Sequence, residues 1–116
     1  MRKALWLLVA AASVFLAGCQ SNQRYYWGSY EDLVYVSFSE PGKLSPTEQI
    51  KVMEEDLRYA DEHSKPVPPG FHAHLGYLYS KVGNKEAARA NFETEKRLFQ
   101  ESAVLMDRLL NNLARM

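Results

Sequence analysis

The fold is decided by residues 69–100, which read PGFHAHLGYLYSKVGNKEAARANFETEKRLFQ. Apolar side chains recur at helical spacing in the first half of this stretch, which predicts a helix with one inward face. That face consists of Leu75, Leu78, Tyr79 and Val82. Pro69 is suited to open the helix. Gly83-Asn84 is suited to end it, because both residues tolerate a left-handed backbone.

A second helix is predicted from Lys85, with Ala88, Phe92 and Phe99 on its inner face. Gly76 and Ala88 are small, so the two helices can approach each other closely. No Gly or Pro interrupts the chain after Lys85, yet we expect a bend near residues 99–101. The tail beyond the bend repeats an apolar stripe, which consists of Ala103, Met106, Leu110 and Leu113.

This helix pair resembles a tetratricopeptide repeat. The matching positions are Leu75, Gly76, Tyr79, Gly83, Ala88 and Phe92. The chain departs from the motif at His72, Glu95 and Gln100, where the repeat favours Trp, Ala and Pro. Because one repeat cannot bury its own apolar face, the resemblance implies an all-α fold of about two antiparallel helix pairs with a C-terminal capping helix. It also implies a partner-binding groove lined by Ala73, Tyr77, Ser80 and Lys81.

The other helix pair is predicted within residues 30–63. Residues 30–38 fit a strand or a helix by their apolar spacing, and we favour a helix, because Glu31 and Asp32 suit a helix N-terminus. The residues Ser45-Pro46-Thr47-Glu48 then form a capping box with proline at the first helical position. The helix that follows extends to about His63, and its inner residues include Met53, Leu57 and Ala60.

The N-terminus has the pattern of a bacterial export signal. Arg2 and Lys3 precede an apolar run that ends near Ala17 and is too short to span a membrane. The residues Leu16-Ala17-Gly18-Cys19 resemble the lipobox of bacterial lipoproteins. That resemblance implies cleavage between Gly18 and Cys19 and a lipid on the Cys19 thiol. The alternative is an ordinary signal peptide with a chance cysteine.

Three segments are expected from these patterns. We predict a signal peptide over residues 1–18, a lipidated N-terminus and tether over 19–29, and a helical-repeat domain over 30–116. Cys19 is the only cysteine, so no disulfide can form within the chain. An aromatic cluster follows the polar residues 20–23, and its rings suit a membrane interface, a docking groove or packing on the core. Its members are Tyr25, Tyr26, Trp27 and Tyr30.

The mature chain also resembles a family of small bacterial outer-membrane lipoproteins known only as a domain of unknown function. The residues that carry this resemblance are Tyr26–Tyr30, Lys65–Gly70 and His72–Leu78. Members are typically encoded beside a lipoprotein similar to the curli-secretion channel. The resemblance therefore implies an envelope assembly, with that channel-like lipoprotein among the partners, and no enzymatic activity. Gln20 after the lipidated cysteine implies sorting to the outer membrane, facing the periplasm.

The sequence contains few patterns that indicate catalysis or ligand binding. The formal net charge is zero, whereas nucleic-acid binding favours a basic face. His72 and His74 are two residues apart and would point to opposite sides of a helix, so we expect neither a metal site nor a cofactor. The apolar arc of the tail includes Leu105 and Leu109, which either seal the core or contact a partner or a second copy.

Three functions follow as hypotheses. The one we favour is a non-enzymatic protein-binding module held on the membrane by the lipid on Cys19. The alternatives are a small periplasmic hydrolase or metal-dependent enzyme that uses His72 or His74, and a structural component of the outer membrane.

Overall fold

The computed structural model describes residues 2–3 and 24–116. Within these residues the fold is all-α, as predicted, with no strand. The predicted signal, apart from Arg2 and Lys3, lies outside the described residues, as do Gly18 and Cys19. The helices are α1 (Tyr30–Ser39), α2 (Pro46–Glu62), α3 (Phe71–Lys81), α4 (Lys85–Leu98) and α5 (Ala103–Arg115), with a 3-10 turn at Gln100–Ser102. None of the helices in the described part is both long and apolar enough to cross a bilayer.

The first helix resolves the ambiguity of residues 30–38 in favour of a helix. Glu31 and Asp32 lie in the first turn of α1, where negative charge interacts favourably with the helix dipole. Leu33 is buried, and the Ser37 hydroxyl donates to Gln49 Oε1 of α2 at 2.8 Å. One side of α1 thus packs against α2.

The predicted capping box is present at the start of α2. The Glu48 backbone N–H donates to Ser45 Oγ at 3.2 Å, and the Ser45 backbone N–H donates to Glu48 Oε2 at 2.8 Å. Hydrogen bonds from Ser45 also lower the pKa of the Glu48 carboxyl. The predicted inner face is confirmed, because Met53 and Ala60 are fully buried and Leu57 packs against the same core.

The third helix begins later than predicted, at Phe71 rather than Pro69. Gly70 has a φ of +94°, a left-handed conformation that prevents the helix from starting any earlier. The hydroxyl of Tyr30 lies where a Cβ on Gly70 would stand. The prediction that Val82 lies on the inner face is wrong, because Val82 is the C-cap of α3 and is exposed.

Tyr79 connects the two halves of the core. Its ring packs against both clusters of buried side chains, one formed by α1, α2 and α3 and the other by α4 and α5. Its hydroxyl donates to Glu54 Oε1 of α2 at 2.7 Å. Burial, together with that hydrogen bond, raises the pKa of Tyr79 to about 12. The phenol therefore stays a donor at physiological pH and holds α3 against α2.

The close approach of α3 and α4 occurs at Gly76, as predicted. A Cβ on Gly76 would lie 2.7 Å from the Phe92 ring and 3.1 Å from the Ala88 carbonyl oxygen. Ala88 and Phe92 are both buried. The helices are antiparallel, because the N-terminus of α3 contacts Glu95 near the end of α4.

The expected bend is present between α4 and α5. It is formed by Phe99 and the 3-10 turn that follows it. Phe99 is half-buried and lies edge-on against Tyr25, with ring centroids 6.3 Å apart. Beyond the bend, α5 buries Met106 and Leu113 against the α4 side of the core.

A buried carboxylate from α4 caps the N-terminus of α3. Glu95 is only 2% exposed; its Oε1 accepts the Gly70 N–H at 2.7 Å, and its Oε2 accepts the Ala73 N–H at 3.3 Å. Gly70 has no side chain to cap its own helix, so Glu95 supplies both acceptors and a negative charge at the positive end of the dipole. At the start of α1, Asp56 of α2 accepts the Ser29 N–H at 2.8 Å in the same way.

Replacing Glu95 tests this capping interaction. We expect Glu95→Gln to lower the free energy of unfolding by about 1–3 kcal/mol, because the amide offers one acceptor where two buried N–H groups need partners. The measurement is urea denaturation followed by circular dichroism. Glu93→Gln, on the exposed side of α4, is the matched control and should change stability by less than about 0.5 kcal/mol. Equal effects of the two variants would contradict the assignment.

Replacing Gly76 tests the helix contact. Ala would gain up to about 1 kcal/mol in helix propensity, whereas overpacking against Phe92 costs about 1–3 kcal/mol, so we expect Gly76→Ala to be destabilising. In a Phe92→Leu background the same substitution should cost less, because the ring that meets the new methyl group is gone. A double-mutant cycle of thermal unfolding measures both effects, and an unchanged cost would count against the contact.

Candidate partner-binding clefts

Two clefts flank the outward side of α3. The α3–α5 cleft has a volume of about 240 Å³ and is lined by Tyr77, Ser80, Lys81, Phe92, Leu109, Asn112, Leu113 and Met116. The α1–α3 cleft has a volume of about 280 Å³, and its lining also includes Tyr77 and Lys81. These two residues therefore form a ridge between the clefts.

The ridge combines an aromatic ring with a positive charge. Tyr77 is 45% exposed, and the Lys81 Nζ lies 5.3 Å from the centroid of its ring, within cation–π distance. Lys81 is in the last turn of α3, where a cation also interacts favourably with the helix dipole. Both interactions place the ammonium group at the rim of the clefts.

Three of the four predicted groove residues line one cleft, and the fourth does not. Tyr77, Ser80 and Lys81 line the α3–α5 cleft together. Ala73 lines neither cleft: it is half-buried against the core, and its N–H donates to Glu95. It lies one turn before Tyr77, in the part of α3 that faces α4.

Of the two binding residues predicted on the C-terminal helix, only one lines the cleft. Leu109 lines the α3–α5 cleft and packs on the core, whereas Leu105, one turn earlier, is exposed and lines none of the described clefts. Sequence reasoning missed Asn112 and Met116 as cleft residues. The signal for them was present, because they continue the face of α5 that Leu109 begins, at helical spacing.

The aromatic cluster divides between the core and the surface. Tyr26 and Tyr30 pack against the core, while Trp27 stacks on Tyr30 with centroids 6.2 Å apart and stays partly exposed. Tyr30 in turn contacts His74 edge-on at 6.2 Å, and His74 stacks on Tyr77 at 6.2 Å. A row of rings thus runs along α3 from the start of α1 to the ridge.

The two histidines of α3 lie on different sides of the helix. His72 is buried, and its Nδ1 is 2.9 Å from Asn91 Oδ1 of α4. His74 faces Tyr30 and Tyr77, and its buried Nε2 has no hydrogen-bond partner within the described residues. Burial lowers the pKa of His74, so its ring is neutral at physiological pH. No cluster with the geometry of a metal site occurs in the part of the chain that the structure describes.

Comparison with known protein families places most of the described helical domain in one family. No curated protein and no solved structure matches this chain. A family model described as a domain of unknown function, DUF4810, matches residues 24–109. The match begins ahead of the aromatic cluster, includes α1 to α4, and reaches Leu109 in the α3–α5 cleft. The chain belongs to the DUF4810 family.

Proposed function

We propose that this protein is a lipoprotein of the bacterial cell envelope, and that its helical domain binds a protein partner through the α3–α5 cleft. The observation that carries the proposal is the cleft itself, which brings residues of α3 and α5 together around an apolar floor. The lipobox resemblance at Cys19 supports the membrane anchor.

The composition of the cleft favours a protein partner. Its floor includes the apolar side chains of Phe92 and Leu113, and its rim carries the polar groups of Ser80, Asn112 and Lys81. Apolar floors with polar rims are typical of protein interfaces. A volume of about 240 Å³ is below the roughly 300–1,000 Å³ usual for small-molecule pockets. The cleft is therefore better suited to one or two anchoring side chains of a partner.

The lipid anchor has a direct role in this proposal. A domain tethered to the membrane meets other tethered proteins at a high effective concentration, so a small cleft can support binding that would be weak in solution. The family resemblance names the class of partner: other envelope proteins, including a lipoprotein similar to the curli-secretion channel. A second copy of this chain is the alternative occupant.

The experiment is site-specific photocrosslinking in intact cells. A photoreactive phenylalanine analogue replaces Tyr77, which lines the cleft, or Tyr35, which is exposed on α1 and lines neither cleft. We expect a crosslinked envelope protein from position 77 and none from position 35. Mass spectrometry of the product distinguishes another protein from a second copy. The same product from both positions would contradict the cleft as the binding site.

A matched pair of substitutions tests the same cleft without disturbing the core. Asn112 and Asn111 are adjacent and exposed on α5, but only Asn112 lines the cleft. Asn112→Arg should reduce the crosslink from position 77 about tenfold, equivalent to about 1.4 kcal/mol of binding, whereas Asn111→Arg should leave it unchanged. Equal yields from the two variants would overturn the proposal.

A further inference from the structure

We propose that one end of the helical domain rests directly on the lipid bilayer, so that both clefts are directed away from the membrane. This inference depends on the lipid anchor of the proposed function. The surface in question, called the anchor end below, carries the exposed apolar side chains of Trp27, Leu98, Val104 and Leu105.

The antiparallel helices give the domain two distinct ends. At the anchor end, the N-terminal segment lies on the connection from α2 to α3, where the Tyr26 N–H donates to the Pro66 carbonyl at 2.8 Å. The bend after α4 is at this end too, because Tyr25, Pro66, Leu98 and Phe99 surround one cavity. Val104 and Leu105 follow within the first turn of α5.

The clefts lie toward the opposite end. The α3–α5 cleft is lined by the last turns of α3 and α5, including Lys81 and Met116. The α1–α3 cleft is lined by the connection from α1 to α2, including Pro41 and Gly42. A domain that stood on its anchor end would therefore present both clefts to the periplasm.

The length of the tether limits how far the anchor end can be from the membrane. Arg24 is five residues after Cys19, and a fully extended chain spans at most about 3.6 Å per residue, or roughly 18 Å in all. The domain is attached through Arg24 and Tyr25, which lead directly into the anchor end. That end is therefore the nearest part of the domain to the bilayer.

The anchor end exposes the kind of side chain that a bilayer interface accepts. Trp27 is 44% exposed, Leu98 51% and Leu105 56%. Tryptophan is enriched at membrane interfaces. The transfer of an exposed leucine side chain from water to the acyl boundary is also favourable. Trp27 comes from the N-terminal segment and the two leucines flank the bend after α4, and the fold brings these two parts of the sequence to the end where the tether emerges.

The test uses Trp27 as its own reporter. The chain has two tryptophans, and Trp6→Phe leaves Trp27 as the only one whether or not the signal is cleaved, so selective excitation of tryptophan reports on Trp27 alone. The complete chain is expressed in bacteria, extracted from membranes in detergent and reconstituted into phosphatidylcholine vesicles with or without brominated acyl chains. We expect Trp27 emission to be lost in the brominated vesicles, because bromine quenches only a fluorophore that reaches the acyl boundary.

A matched pair of double variants identifies the contact surface. Leu98→Ser with Leu105→Ser removes exposed leucines at the anchor end, and we expect quenching to disappear. Phe38→Ser with Val82→Ser removes apolar side chains that are exposed at the opposite end, and quenching should persist. Circular dichroism confirms that each variant remains folded. Equal quenching in the two double variants would overturn the proposal.

The intact mass of the purified protein separates this inference from the one on which it rests. A lipidated protein whose Trp27 is not quenched would overturn docking on the membrane but leave the proposed partner binding in place. A protein without lipid on Cys19 would overturn both the anchor and the docking.

Discussion

The buried carboxylate of Glu95 is the constraint on which the rest of the domain depends. A charge that is almost fully removed from water is tolerated only when its hydrogen bonds are satisfied. Here the acceptors are used by the Gly70 and Ala73 N–H groups, which would otherwise be unpaired at the first turn of α3. These hydrogen bonds fix the position of α3 along α4. In that position, Gly76 of α3 faces the ring of Phe92 on α4.

The same contact organises the side of α3 that faces the N-terminal segment. Gly70 adopts a left-handed conformation, and the Tyr30 hydroxyl occupies the space that a side chain there would need. Tyr30 packs against Phe71, with ring centroids 5.8 Å apart. Burial, and then the negative charge of Glu95, raise the pKa of Tyr30, so the phenol remains protonated beside the carboxylate. The start of α1 thus packs, through Tyr30, against the same first turn of α3 that Glu95 caps.

Much of the fold was predictable because its signals are local. The capping box at Ser45 and Glu48, the bend after Leu98 and the apolar stripe through Met106 depend on residues within a few positions of one another. The two errors lie at the ends of α3, where the backbone of a single residue decides whether the helix continues. Pro69 has the right backbone for a helix start, but Gly70 interrupts the helix after it. Val82 has the right spacing for the core, but it lies beyond the last turn of α3, where no helix covers it.

By itself, the sequence determined the all-α class, the extents of α1 and α2, the close approach at Gly76 and the expectation of a lipid on Cys19. Only the tertiary structure decided that Glu95, a departure from the repeat motif, is the cap of α3. It also decided that Tyr77 and Leu109 share a cleft, while Ala73 and Leu105 do not. The physical reason is that periodicity and capping act within one helix turn, whereas Glu95 is 25 positions from Gly70, and Tyr77 and Leu109 are more than thirty positions apart in the chain.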